Sequence, residues 1–149
     1  MKKKIQIING ANINLMGERE IGIYGVDTYE SINRELMMFA DRISLELSIY
    51  QSNIEGEIID KIQEVRETCD GIIINAGAYA HYSYAIRSAV AAINIPCIEV
   101  QFSNINKKEE LRKESVIAPV CVGQITGLGK IGYRLAMQAF ADILGGGEF

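Results

Sequence analysis

The chain has 149 residues, of which 48% are hydrophobic, with 14 glycines and 2 prolines, and this composition predicts one ordered globular domain. Its 19 acidic and 15 basic residues give a net charge of −4, which argues against nucleic acid or an anionic membrane as the main partner. The 3 cysteines are odd in number and widely spaced, so we expect reduced thiols in a cytoplasmic protein rather than a disulfide framework.

A signal segment at a terminus or a metal-binding motif would change the class of protein. The apolar run at residues 5–8 is too short for a secretory signal or a membrane span. Zinc sites need clustered ligands, and neither CxxC nor HExxH occurs in the sequence. We therefore expect no metal, no cofactor and no membrane partner.

Strand-like and helix-like segments alternate along the chain. Asp27 or Thr28 is expected to cap the first helix, whose apolar stripe runs from Ile32 to Leu47. Short β-branched runs predict strands at residues 5–8, 47–51, 71–74, 96–102 and 120–125. Helical spacing predicts further helices at residues 57–66, 84–93, 107–113 and 128–144.

This alternation predicts an α/β fold, in which one doubly wound, five-stranded parallel sheet has helices on both faces. The expected strand order is the flavodoxin-like 2-1-3-4-5. All 149 residues are assigned to a single domain, with a flexible tail from about residue 145, where three glycines follow one another.

Polar side chains follow three of the predicted strands, where an open parallel sheet binds ligands. His81 is the only histidine, so any imidazole chemistry must occur there, although a lone histidine can also simply cap or pack against a helix. The polar residues at these strand ends are Asn12, Arg19 and Tyr24; Asn75 and His81; and Glu99, Gln101 and Ser103.

Five sequence blocks in the chain resemble those of the type II 3-dehydroquinate dehydratases. They are INGANINLMGERE at residues 8–20, QSNIEGE at 51–57, INAGAYAH at 74–81, IEVQFSNI at 98–105 and GLGKIGY at 127–133. The blocks occur in the family's order and extend over nearly the whole chain. The resemblance implies cofactor-free conversion of 3-dehydroquinate to 3-dehydroshikimate through an enolate, in a trimer-based dodecamer.

The resemblance also implies a role for individual residues. Tyr24 would be the base that removes the α-proton, Arg19 would activate it, and Asn12 would hold a water against the enolate oxygen. The substrate hydroxyls would be bound by Asn75, His81 and Arg112, and the carboxylate by Ser103 and the backbone amides around Phe102. Residues 17–25 contain three glycines and lack periodicity, so we expect a mobile lid, with an ordinary surface loop as the alternative.

Two departures from the family pattern affect the expected activity. Gln101 stands where the family has a histidine that pairs with Glu99 and protonates the leaving hydroxyl, and an amide cannot do this at neutral pH. Ser88 replaces an aspartate that reaches into a neighbouring subunit's site. A second function therefore stays open, in which a catalytically weak relative binds a carboxylate similar to dehydroquinate.

A dinucleotide-binding function is a third alternative, because residues 127–132 have the pattern GxGxxG after a strand. This strand is the last one, so no following strand could carry the acidic residue that binds the ribose. We expect instead that these glycines allow the final helix to pack closely.

Overall fold

A computed structural model of the chain describes residues 1–18, 27–108 and 114–146. All strand pairs in the sheet are parallel, and the strand order is β2-β1-β3-β4-β5. The predicted fold class and strand order are therefore confirmed. The strands are β1 (Lys3–Asn9), β2 (Leu45–Gln51), β3 (Gly71–Asn75), β4 (Cys97–Gln101) and β5 (Gly123–Thr126).

Four α-helices cover the two faces of this sheet: α1 (Tyr29–Arg42), α2 (Glu55–Val65), α3 (Tyr84–Ala91) and α4 (Ile131–Leu144). One core cluster contains side chains of α1 and α4, and the other contains side chains of α2 and α3. Because the three central strands are buried on both faces, their sequences are nearly continuous apolar runs.

The boundaries of α1 show why one prediction was wrong. Thr28 and Ser31 form a reciprocal capping box, which satisfies two backbone N–H groups at the start of the helix. The helix ends at Arg42, and Ser44 then has a positive φ of 60° that breaks the helical path. Leu47 therefore lies in β2, and the stripe predicted to reach it combined one helix with the following strand.

Two predicted elements near the C-terminus also differ from the structure. A single 3-10 turn at Ile105–Lys107 begins the segment that was predicted as a helix at 107–113, and residues 109–113 lie outside the described residues. The fifth strand begins at Gly123 rather than at residue 120, because Pro119 lies in a 3-10 turn at Ala118–Val120. The predicted tail begins with a turn at Gly145 and Gly146.

The GxGxxG segment packs α4 against the sheet, as predicted. Gly132 is buried, and a Cβ atom there would lie 3.0 Å from Val100 Cγ1 and 3.4 Å from Ile125 Cγ2. Any larger side chain would push the helix away from β4 and β5. In the part of the chain that the structure describes, no helix has the length and apolarity needed to span a bilayer.

Candidate active site

The carboxyl ends of the strands form one polar edge. Asn9 is in register with both Gln51 and Asn75, so the ends of β1, β2 and β3 lie at the same level. Gln101 is in register with Thr126 at the ends of β4 and β5. The predicted edge therefore exists, and polar side chains of the described residues end these strands along it.

A tyrosine from the last helix joins the ends of β1 and β3. Tyr133 is 1% exposed, and its hydroxyl group donates to Asn9 Oδ1 and accepts from Asn75 Nδ2 at 3.2 Å. Asn75 Oδ1 also accepts from Gly77 N at 3.3 Å. Sequence reasoning placed Asn75 in the site but gave no role to Asn9 or Tyr133, although both lie in the family-like blocks.

Asn12 lies just beyond β1 in the left-handed conformation, with φ 68°. Its backbone N–H donates to Asn53 Oδ1 at 2.9 Å, and its residue is exposed. Gly77 has φ 64°, and a Cβ there would lie 2.6 Å from Ala11 O, so only glycine lets the loops after β1 and β3 approach this closely. The neighbouring loop thus presents Asn12 at the open edge.

His81 ends a short 3-10 helix (Gly77–His81) that follows β3. Its Nδ1 lies 2.8 Å from the backbone carbonyl oxygen of Glu114. A carbonyl can only accept, so Nδ1 must carry a proton and Nε2 is left to accept from, or donate to, another group. The half-buried ring is therefore held in one tautomer with Nε2 available.

Glu99 is 0% exposed in β4, where a carboxylate needs hydrogen-bond donors in place of water. Ser115 Oγ donates to Oε2 at 2.7 Å, and Gln124 Nε2 donates to Oε1 at 2.7 Å. Burial raises the pKa of Glu99 above its usual 4.5, while these donors, Gln101 and the charge of His81 lower it in part. Ser115 and Gln124 were missed because they carry no motif signal.

Gln101 is 5% exposed and lies on the same face of β4 as Glu99, as the alternation of the strand predicts. Its amide is near enough to Glu99 to lower the pKa of that carboxyl. Among the described residues, however, the buried Nε2 atom has no hydrogen-bond partner of ordinary geometry. A buried amide without a partner is unfavourable, so within the described residues this atom is an unsatisfied donor.

The other predicted site residues are distributed along or away from this edge. The Phe102 ring packs against Tyr133 with centroids 5.2 Å apart, and its carbonyl accepts from Gly129 N at 2.9 Å. The carbonyl of Ser103, which is half-buried, accepts from Thr126 Oγ1 at 2.9 Å. Ser88 is exposed on α3. The predictions for Arg19, Tyr24 and Arg112, and for the lid, fall outside the described residues.

The cysteines and acidic residues offer no metal centre in the part of the chain that is described. Cys69, Cys97 and Cys121 are free thiols. A hydrogen bond with Cys121, together with burial, raises the pKa of the Cys97 thiol. No group of three or more His, Cys, Asp or Glu side chains in residues 1–18, 27–108 and 114–146 is arranged to hold a metal ion.

Comparison with known proteins identifies the family. The family model described as Dehydroquinase class II matches residues 3–141. Over 138 residues the chain is 54% identical to the 3-dehydroquinate dehydratase of Bacillus licheniformis, with 93% of this chain and 95% of the relative covered. Over 140 residues it is 51% identical to the 3-dehydroquinate dehydratase of Campylobacter jejuni, with 94% and 88% covered.

The solved structures agree with this family. The crystal structure of type II dehydroquinase from Butyrivibrio crossotus matches with a TM-score of 0.91 and 49% identity, covering 93% of this chain and 97% of that one. The chain belongs to the class II dehydroquinase family and is accordingly an enzyme of the hydro-lyase class. The resemblance inferred from the five sequence blocks is thereby confirmed.

Proposed function

We propose that the chain dehydrates 3-dehydroquinate to 3-dehydroshikimate without a cofactor, the activity named for its relatives at 51–54% identity. The observation that carries the proposal is the meeting of Asn12, Asn75 and His81 along one sheet edge, where they offer hydrogen-bonding groups to a polyhydroxylated acid. Ser103, after β4, would bind the substrate carboxylate together with backbone amides near Phe102.

The proposed base is the phenolate of Tyr24. A phenol has a pKa near 10, so a base that acts near neutrality needs it lowered by about 3 units, or about 4 kcal/mol. One guanidinium about 4 Å away supplies about 4 kcal/mol at an effective dielectric of about 20. Arg19 is the proposed source of this charge, because arginine keeps its proton and cannot itself be the base.

The enolate formed by Tyr24 needs a donor at its oxygen, and the proposal gives Asn12 this role through a bound water. Substrate hydroxyls would be bound by His81 Nε2, which the bond from Nδ1 to Glu114 leaves available. Asn75 would add its remaining amide hydrogen and carbonyl lone pair, since each of its side-chain atoms already makes one bond. Arg112 completes the proposed set.

Loss of the β-hydroxyl is the step that Gln101 affects. The hydroxyl must take up a proton as it leaves, and Gln101 can orient it with an N–H group but cannot supply a proton. General acid catalysis is typically worth about 10²–10⁴-fold in rate, or about 3–5 kcal/mol. The proposal therefore includes slow dehydration, limited by departure of the hydroxyl rather than by enolate formation.

The second candidate is a catalytically weak or inactive relative that binds dehydroquinate or a similar carboxylate. It is favoured by Gln101 in the position of the family's acid, where its Nε2 has no hydrogen-bond partner among residues 1–18, 27–108 and 114–146, and by Ser88, which replaces the family's aspartate. Both candidates share the ligand, so measurements of binding alone cannot separate them.

The decisive experiment follows the absorbance of 3-dehydroshikimate after adding dehydroquinate, beside a calorimetric titration with the same compound. Binding with turnover above the Tyr24→Phe background supports the dehydratase. Binding with turnover equal to that background supports the weak relative. Absence of both would contradict the assignment of the ligand. Activity that EDTA removes and zinc or magnesium restores would contradict the cofactor-free mechanism.

We also propose that the chain works in the cytoplasm as a trimer-based dodecamer. The support is the exposed position of Ser88 on α3, where the family's residue reaches into a neighbouring subunit, together with the three free thiols. Light scattering on the purified protein measures the assembly directly. A stable monomer at micromolar concentration would contradict this part of the proposal.

A further inference from the structure

We infer that a hydrogen-bonded clamp holds Asn12 in place for the reaction. The clamp is formed by Gln51, Asn53 and Tyr79. The inference rests on the proposed function, in which Asn12 acts at the enolate oxygen. It adds positioning residues that the proposed mechanism does not use. The clamp lies at the end of β2 and in the segments that follow β2 and β3, whereas Asn12 lies in the loop after β1.

Asn53 makes the direct contact. Its Oδ1 atom accepts from the backbone N–H of Asn12 at 2.9 Å and from Gln51 Nε2 at 3.0 Å. A carbonyl oxygen has two lone pairs, so both are in use. Gln51 therefore restrains the Asn53 side chain, and Asn53 in turn restrains the Asn12 backbone.

Gln51 holds the same loop from the end of β2. Its Nε2 lies 3.2 Å from Gly10 O and 3.2 Å from Asn14 Oδ1, in addition to Asn53 Oδ1. Two amide hydrogens thus serve three acceptors through a shared hydrogen bond. Gly10 and Asn14 lie on either side of Asn12 in the sequence, so one amide group binds the loop both before and after Asn12.

Tyr79 fixes the loop that carries Asn53. Its hydroxyl group donates to the backbone carbonyl of Asn53 at 2.7 Å. Because Tyr79 belongs to the 3-10 helix after β3, the clamp joins the ends of three neighbouring strands. The Asn12 backbone is therefore connected by hydrogen bonds to residues at the ends of β2 and β3, not only to its own loop.

The conformation of Asn12 agrees with a role for this clamp. Asparagine enters the left-handed region more readily than most residues, and the bond from its N–H to Asn53 restrains it there. Its backbone N–H is bound, whereas its side chain is exposed and does not cap the 3-10 turn (Ile13–Leu15) that follows. This is the arrangement of a preorganised group, because the backbone is fixed and the amide remains available to a ligand or water.

The first test compares Asn53→Ala with Asn53→Asp, which keeps an oxygen at Oδ1, and with Asn94→Ala, an exposed asparagine between α3 and β4. Because the enolate forms only during the reaction, we expect Asn53→Ala to lower kcat about tenfold or more while KM changes less than about threefold. Asn53→Asp should keep most of the parent kcat, and Asn94→Ala all of it. A rise in KM with unchanged kcat would overturn the inference, because Asn53 would then affect only substrate binding.

A double-mutant cycle separates positioning from general support of the fold. If Asn53 acts through Asn12, then Asn12→Ala combined with Asn53→Ala should have the kcat of Asn12→Ala alone. Losses that multiply in the double variant would mean that Asn53 acts independently, and the inference would be wrong. Gln51→Ala should behave as Asn53→Ala does in the same cycle.

Hydrogen exchange at the Asn12 amide tests the clamp without any turnover. The N–H should be protected in the parent and in Asn53→Asp, and should exchange at least about tenfold faster in Asn53→Ala. Equal exchange in all three proteins would overturn the inference even if the parent is active. If the parent has no dehydratase activity, the proposed function fails on that measurement, and the exchange rates alone decide whether the clamp exists.

Discussion

The two halves of the polar edge differ in how completely their hydrogen bonds are satisfied. At the ends of β1, β2 and β3, the buried amides of Asn9 and Asn75 share the hydroxyl of Tyr133. At the end of β4, Glu99 has donors on both oxygens, but Gln101 Nε2 next to it has no partner among the described residues. Among the described residues, the unsatisfied buried side-chain donor therefore lies in the β4 half.

This difference matters for the proposed mechanism. In that proposal, the β1–β3 half binds substrate and stabilises the enolate. The β4 half holds the Glu99 carboxylate, which would orient an imidazole, and Gln101 stands where the resemblance implies that imidazole. Because a buried donor without a partner is unfavourable, we expect Gln101 to affect local stability as well as proton transfer.

The largest expected loss of kcat follows removal of the proposed base. Tyr24→Phe should lower kcat by at least about 10³-fold, because no other group is proposed to take the α-proton. Arg19→Ala should cost less, since the phenol remains but loses its activating charge. Both rates are measured from the absorbance of 3-dehydroshikimate, with circular dichroism as the control for folding. If Tyr24→Phe kept more than a few per cent of the parent rate, the base would be another residue.

The next largest effect is expected when a general acid is introduced at position 101. Gln101→His should raise kcat about tenfold or more. Glu99 lies on the same face of β4, so its carboxylate could accept a hydrogen bond from the imidazole and favour its protonated form. Gln101→Met, which has similar size but no donor, is the matched control and should give no gain. In the parent, exchange of the α-proton into deuterated water should be faster than net product formation.

Two results would contradict this prediction. A parent rate equal to that of its relatives, unimproved by Gln101→His, would mean that another group supplies the proton. His81→Ala is then the next variant, because His81 is the only histidine in the chain. Equal rates of exchange and product formation would mean that departure of the hydroxyl is not limiting.

A smaller effect, on stability, is expected when the hydroxyl group that joins β1 and β3 is removed. Tyr133→Phe leaves Asn9 Oδ1 without its donor and Asn75 Nδ2 without its acceptor in a buried place. We expect the free energy of unfolding to fall by about 1–3 kcal/mol, as measured by urea denaturation. Tyr84→Phe, at an exposed tyrosine, is the control and should have little effect. Equal stability of the two variants would mean that the bridge contributes nothing.

The smallest effect is a change in how stability depends on pH. Because the pKa of Glu99 is raised in the folded protein, the folded state binds its proton more readily than the unfolded state. Its carboxylate therefore lowers stability as pH rises above about 4.5 and through the folded pKa. Glu99→Gln removes this dependence, so the variant should gain stability relative to the parent as pH rises from about 4.5 until the folded pKa of Glu99 is passed. A constant difference across that range would contradict the prediction.

The sequence alone determined the fold and the sheet edge at which the proposed site lies. Five strand-like runs separated by helical patterns predicted a parallel sheet, because parallel strands need crossovers and the central strands are buried on both faces, and the expected flavodoxin-like order 2-1-3-4-5 is confirmed. Placing Asn75 and Glu99 on that sheet then followed from strand ends and alternation. The boundary of α1 was wrong, since a single positive φ at Ser44 leaves little signal in an apolar stripe.

Only the tertiary structure decided which polar groups depend on one another. Ser115 lies 16 residues from Glu99 in the sequence, Gln124 lies 25 away, and Tyr133 lies 124 residues from Asn9. No local pattern encodes such pairs, because the requirement to satisfy buried donors and acceptors acts only after the chain has folded around them. The same requirement shows that Gln101 Nε2 has no hydrogen-bond partner in the described part of the chain, which its place in the sequence could not reveal.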